Sequence, residues 1–91
     1  MTGEVRNNAA ENRYELEIEG QLAIAAYRLR DGVITFTHTE VPDALEGRGI
    51  GSKLVKGALD DVRAQGLKVV PACPFVKHYM DKHPETQDLL A

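Results

Sequence analysis

From Arg13 the chain alternates: Tyr14, Leu16 and Ile18 are separated by Glu15, Glu17 and Glu19, the period-two pattern of a strand with one face on a core. Gly20-Gln21 fits a tight turn. Leu22 to Leu29 reads as a second strand, with Leu22, Ile24, Ala26 and the stem of Arg28 on one face. Asp31-Gly32 is a hairpin signal, because glycine accepts positive φ. Val33 to Val41, rich in β-branched and aromatic residues, is the third strand, and Pro42 ends it because proline has no amide donor. The period then changes to helical, with Leu54, Val55, Ala58, Leu59 and Val62 on one face through about Gln65. Gly66 stands where a helix C-terminal glycine belongs. Leu67 to Cys73 forms a short strand, expected to pair in parallel after a crossover helix. Pro74 opens a second helix with Phe75, Val76, Tyr79 and Met80 on its apolar face, and His83-Pro84 closes it. The order β-β-β-α-β-α predicts an α+β fold, a mixed α/β sandwich whose mostly antiparallel sheet gains one parallel pair. Residues 1–12 are polar and are expected to be a flexible lead-in, leaving 13–91 as the folded domain.

Composition narrows the class without naming a function. Ninety-one residues make one domain, and 43% hydrophobic with 27% charged residues suits a soluble globular chain. A net charge of −3 argues against a general nucleic-acid binder. The single cysteine cannot form an internal disulfide, which fits a reducing, cytoplasmic setting. His78 and His83, five residues apart, do not share a helix face and have no third ligand, so no metal is expected. There is no apolar signal core and no run of 18 apolar residues, so no membrane association is expected.

The candidate chemistry is concentrated at Glu46-Gly47-Arg48-Gly49-Ile50-Gly51, directly ahead of the first helix. Glycines there let the backbone approach a ligand, and the free amides of a first helical turn favour an anion such as phosphate or pyrophosphate. On these residues alone, a ligand-free strand-to-helix connection explains the glycines equally well.

A strand, a proline stop and this glycine turn before an amphipathic helix resemble motif A of the GNAT superfamily, the acyl-CoA-dependent N-acetyltransferases. Gly49 and Gly51 match the two small positions of that motif, while Glu46 replaces its usual Gln or Arg. Thr39-Glu40-Val41-Pro42, the turn, and the later Val69-Val70-Pro71-Ala72-Cys73-Pro74-Phe75-Val76 and His83-Pro84-Glu85 are similar to the minimal, single-domain YjdJ-like group, over roughly residues 13 to 89. The resemblance implies that the backbone of Gly47, Arg48, Gly49, Ile50, Gly51 and Ser52 cradles the pyrophosphate of acetyl-CoA or coenzyme A. It implies that Thr39, Glu40 and Val41 pair with the pantetheine arm like an added strand. It implies acetyl transfer to an amine on a small molecule, peptide or protein. The N-terminal helices that build the acceptor site in larger relatives are missing from the pattern here, so an open or dimer-shared pocket is expected, on a monomer or weak homodimer.

Three residues are catalytic candidates. Cys73 ends the parallel strand before a helix N-terminus, where a thiolate is stabilised, and within the resemblance it can accept the acetyl group. A lone buried cysteine is more often an inert small hydrophobe, and direct transfer is the family's commoner route. Glu40 shares a strand face with His38, and either is a candidate general base; for His38 a partly buried strand residue with a backbone hydrogen bond is the plainer reading. The resemblance implies a helix tyrosine as general acid toward the departing thiolate, a role Tyr79 fits by position, although core packing explains its stripe equally well. A non-catalytic CoA-binding module or partner subunit is the alternative function.

Overall fold

A computed structural model describes residues 3–91. Five strands, β1 (Arg6–Asn8), β2 (Arg13–Ile18), β3 (Gln21–Arg30), β4 (Val33–Glu40) and β5 (Lys68–Pro71), form one sheet in the order β1-β2-β3-β4-β5. The first four are antiparallel, and β5 joins β4 in parallel after the crossover helix α1 (Ile50–Ala64). Helix α2 (Pro74–Lys82) follows β5, a 3-10 segment, Pro84–Leu89, comes next, and Leu90 then forms a bridge with Val69. This is the mixed α/β architecture that the alternation predicts, with one strand more.

The extra strand is β1, which lies in the segment expected to be a loose lead-in; that segment's first two residues are outside the described ones. Its sequence, Arg-Asn-Asn, has no apolar alternation because polar side chains hold it instead. Arg6 Nη2, Asn8 Nδ2 and Arg13 Nε all donate to the Glu15 carboxylate, at 3.3, 2.9 and 2.7 Å, and that side chain is only 7% exposed. On the other face Tyr27 Oη donates to Asn7 Oδ1 at 2.6 Å. The Asn8 hydrogen bond, then Arg13, hold the Glu15 carboxyl below its ordinary value of 4.5. A depressed carboxyl stabilises the fold above its ordinary value and loses that contribution as pH falls through the depressed one. Glu15→Ala is therefore expected to cost about 1–3 kcal/mol at neutral pH by leaving three donors without their acceptor. Denaturant unfolding at pH 7 and pH 3 tests this: the gap between variant and wild type should shrink in acid, and amide exchange at Arg6–Asn8 should accelerate in the variant.

One face of the sheet is buried. Tyr14, Leu16 and Ile18 of β2, Ala23, Ala25 and Tyr27 of β3, and Ile34 and Phe36 of β4 form a single core with Leu54, Val55, Ala58, Leu59 and Val62 of α1 and Val76, Tyr79 and Met80 of α2. The apolar set read on β3, Leu22 with Ile24 and Ala26, does share a face, but it is the outer one: Leu22 is exposed and its two partners are half-buried. Small Ala23 and Ala25 face inward because α1 crosses close above them and needs the space. Hairpin turns at Glu19-Gly20 and Asp31-Gly32 use paired positive φ values of 53° and 76°, and of 53° and 78°. Helix α1 ends as its sequence signals: Gly66 and Leu67 amides donate to the Arg63 and Val62 carbonyls at 3.1 Å each, a two-bond cap around a left-handed glycine. Among the described residues, no helix is long and apolar enough to cross a membrane.

Candidate functional site

Strands β4 and β5 run side by side only from Val33 to Phe36. Phe36 is the last pair, with Pro71, and its carbonyl accepts the Cys73 amide at 2.8 Å. Beyond it the chain after β5 turns into α2, while β4 continues to Glu40 with β3 as its only strand neighbour. The freed edge of β4 and the start of α1 bound a cleft of about 460 Å³.

A bulge decides which side chains reach that cleft. Tyr27 pairs with Phe36 and Ala26 with His38, so Thr37 is an extra residue opposite a single step of β3. Strict alternation would place His38 and Glu40 on the Phe36 face. The extra residue reverses this, putting Thr39 inward, paired with buried Ala25, and turning His38 and Glu40 outward. Thr39 and Val41 accordingly line the cleft.

The opposite wall is the glycine turn. Gly47 and Gly49 have φ of 80° and 73°, a left-handed conformation that strains residues with a Cβ. Gly49 is the N-cap of α1 and supplies no side-chain bond, so the amides of Ile50, Gly51 and Ser52 point out of the helix end. The first helical bond is Lys53 N–H to the Gly49 carbonyl at 3.0 Å. Gly47, Gly49, Ile50, Gly51 and Ser52 all line the cleft, with buried Leu45 and the Glu46 side. Phe75, from the first turn of α2, completes it. A Cβ built on Gly51 would lie 2.5 Å from Phe75 Cζ, so the glycine makes room for the ring. Leu45 was not among the residues the sequence singled out, and Phe75, read there as part of the apolar face of the second helix, lies outside the core on the cleft wall. A large apolar side chain beside an N-terminal proline is the signal for Phe75, which is 42% exposed.

The profile of GCN5-related N-acetyl-transferases matches residues 13–89. The chain belongs to this family. Protein NATD1 of Gallus gallus is 42% identical over 57 residues, covering 63% of this chain and 52% of that protein. Protein NATD1 of Homo sapiens is 42% identical over 57 residues and half of its own length. The chain thus spans about half the length of the curated relatives it matches. A solution structure of a GCN5-like protein from Staphylococcus aureus superposes with a TM-score of 0.73 at 34% identity, covering 97% of this chain and 87% of that one.

Within this N-acetyltransferase fold the other candidates are dispersed. Arg48, between the two left-handed glycines, does not line the cleft; its guanidinium makes a two-pronged ion pair with Glu19, both bonds at 3.0 Å. Among the described residues the cleft lining therefore contains no cation, and an anion there would be held by backbone amides. Cys73, the N-cap of α2, is buried just behind the wall, its Sγ 3.3 Å from Oγ1 of Thr39. Glu40 lies on the outer sheet face, exposed, with Oε2 2.7 Å from His38 Nε2. Tyr79 lines a separate cleft of about 340 Å³ between α1 and the C-terminal segment, with Lys56, Arg63 and Glu85. Its ring stacks on His83 at 3.9 Å, the His83 Nδ1 donates to the Tyr79 carbonyl at 2.7 Å, and burial pushes its hydroxyl pKa upward. Among the described residues no three metal-ligating side chains converge.

Proposed function

We propose that the cleft between β4 and the glycine turn binds acetyl-CoA or coenzyme A and that the chain transfers acetyl to an amine on a small molecule, peptide or protein. The observation that carries this reading is the convergence of the Thr39–Val41 strand edge and the uncapped Ile50–Ser52 amides on one cleft. The residues fit the ligand's chemistry. Backbone donors and glycines without Cβ suit a pyrophosphate, and an unpaired strand edge suits the amides of a pantetheine arm. Bound acetyl-CoA supplies an activated acetyl thioester. The chain's own part is to position that carbonyl near the end of β4 and to hold the arm against Phe75 and Val41.

In direct transfer the acceptor nitrogen forms a bond to the acetyl carbon, the carbon–sulfur bond breaks, and the thiolate leaves. The nitrogen then gives up a proton to water or to an outer-face base, of which Glu40 is the candidate. In the covalent route the Cys73 sulfur takes the acetyl first and its proton leaves with the CoA thiol. Cys73 lies behind Thr39, so the direct route requires less movement of the chain. The second reading, a CoA-binding module without transfer, is favoured by the dispersal of Cys73, Glu40 and Tyr79 over three environments.

Mass spectrometry after incubation with acetyl-CoA, with and without a panel of amines, tests these readings. Acetylated amine formed by both wild type and Cys73→Ala is the expected result for direct transfer. An enzyme-bound acetyl group that disappears in Cys73→Ala and moves to added amine would establish the covalent route instead. Binding of CoA with no transfer to any amine leaves the module, and no binding at millimolar CoA overturns the proposal altogether.

A further inference from the structure

Arg48 is the only lysine or arginine between Val41 and Ser52, and so the one side chain of the turn able to add a positive charge to an anion's grip. It is already engaged. Nη1 and Nη2 meet Oε1 and Oε2 of Glu19 at 3.0 Å each, the parallel fork that gives guanidinium–carboxylate pairs their directionality. Both ends are set by backbone. Arg48 stands between glycines at φ of 80° and 73°, and Glu19 is itself left-handed at φ 53°, opening the two-residue turn between β2 and β3. The pair holds the glycine turn to a rigid hairpin 29 residues away in sequence. It also neutralises the turn's cation and leaves Glu46 as the charge on the cleft wall.

We infer that Glu19 is a latch on the site: it competes with a phosphate group of the ligand for Arg48, and CoA binding includes release of Arg48 from Glu19. This rests on the CoA reading above and names the residue that tunes it. The two partners are 45% and 59% exposed, so the guanidinium can exchange one oxyanion for another without unfolding anything. Exposure also bounds the effect. Exposed ion pairs are weak, so freeing Arg48 corresponds to only about a twofold to fivefold gain in affinity. The direction is opposite to ordinary surface mutagenesis: removing an ion pair should improve the ligand.

Calorimetry with CoA and with pantetheine, which carries no phosphate, on wild type, Glu19→Gln, Arg48→Ala and the double variant tests the latch. The expected result is CoA bound about twofold to fivefold more tightly by Glu19→Gln, with the gain shrinking as salt is raised. The gain should vanish in the Arg48→Ala background, and pantetheine should bind all four proteins alike. A gain of equal size with and without Arg48 would reduce Glu19 to general repulsion and overturn the latch. Weaker binding by Glu19→Gln would show that the pair preorganises the turn instead of competing, and would overturn it as well. If wild type and all variants fail to bind CoA, the proposed function falls and the latch with it; if CoA binds and only the Glu19 effect is missing, the latch falls alone.

Discussion

Gly51→Leu is expected to raise the dissociation constant for CoA about fivefold to 150-fold, the equivalent of about 1–3 kcal/mol of lost binding, while folding stability falls by less than that. Gly51 has ordinary helical geometry, so a side chain there meets no backbone strain. What it meets is Phe75, whose ring tip would be 2.5 Å from a new Cβ. The ring is partly exposed and lines the cleft, so it can yield by moving into the cleft. Either the leucine or the displaced ring then fills space the ligand needs. The loss of stability is limited because leucine is a better helix former than glycine by roughly 0.5–1 kcal/mol, which offsets part of the rearrangement. Thermal denaturation and calorimetry on the same sample separate the two effects. Adding Phe75→Ala should recover part of the lost affinity where the displaced ring is the obstacle, less the ring's own contact with the ligand. Wild-type affinity in Gly51→Leu would place the cofactor elsewhere and remove this cleft from the proposal.

The contrast between Gly51 and Thr39 shows what sequence could and could not reveal about this site. The glycine turn was legible because its signal is local: three glycines ahead of a helical period mark a strand-to-helix turn, and only the family resemblance attached a ligand to it. The strand that faces them was legible only in outline. Thr39 and Val41 reach the cleft because Thr37 is an extra residue in β4, and nothing in Thr35-Phe36-Thr37-His38-Thr39 marks a bulge. A period-two rule applied through that stretch sends Glu40 to the Phe36 face, whereas it lies on the opposite one. The same limit hid β1. A strand held by Glu15, Asn8 and Tyr27 has no hydrophobic period, and its stability depends on partners far along the chain. On β3 the larger residues Leu22 and Ile24 pointed to a core face that belongs to Ala23 and Ala25, because the closeness of α1 cannot be read from β3 itself. Arg48 entered the sequence reading only as backbone of the glycine turn; that Glu19 holds its side chain was not legible.

Phe36→Ala is expected to cost about 3–5 kcal/mol, the largest single effect on stability in the domain. Its ring is 1% exposed and lies against two of the core tyrosines, with centroids 6.1 Å from Tyr14 and 6.2 Å from Tyr27. Domains of this size have about 5–15 kcal/mol in total, so the variant should unfold at least about 10 °C lower and be only marginally folded at body temperature. Phe36 also sits where the site begins: it is the last β4 residue paired with β5, it precedes the bulge, and its carbonyl anchors the Cys73 amide. Alanine keeps that carbonyl, so the backbone geometry of the cleft should survive in the molecules that remain folded. Ligand linkage separates lost folding from lost site geometry. CoA at a hundred times its dissociation constant stabilises by about 2.7 kcal/mol, enough to recover much of the deficit if the folded variant still binds normally. A Phe36→Ala protein whose melting temperature rises with CoA by as much as the wild type's would confirm that the ring supports the fold and leaves the cleft intact. A variant that melts low and ignores CoA would mean that packing beneath the bulge, and not the backbone alone, sets the shape of the site.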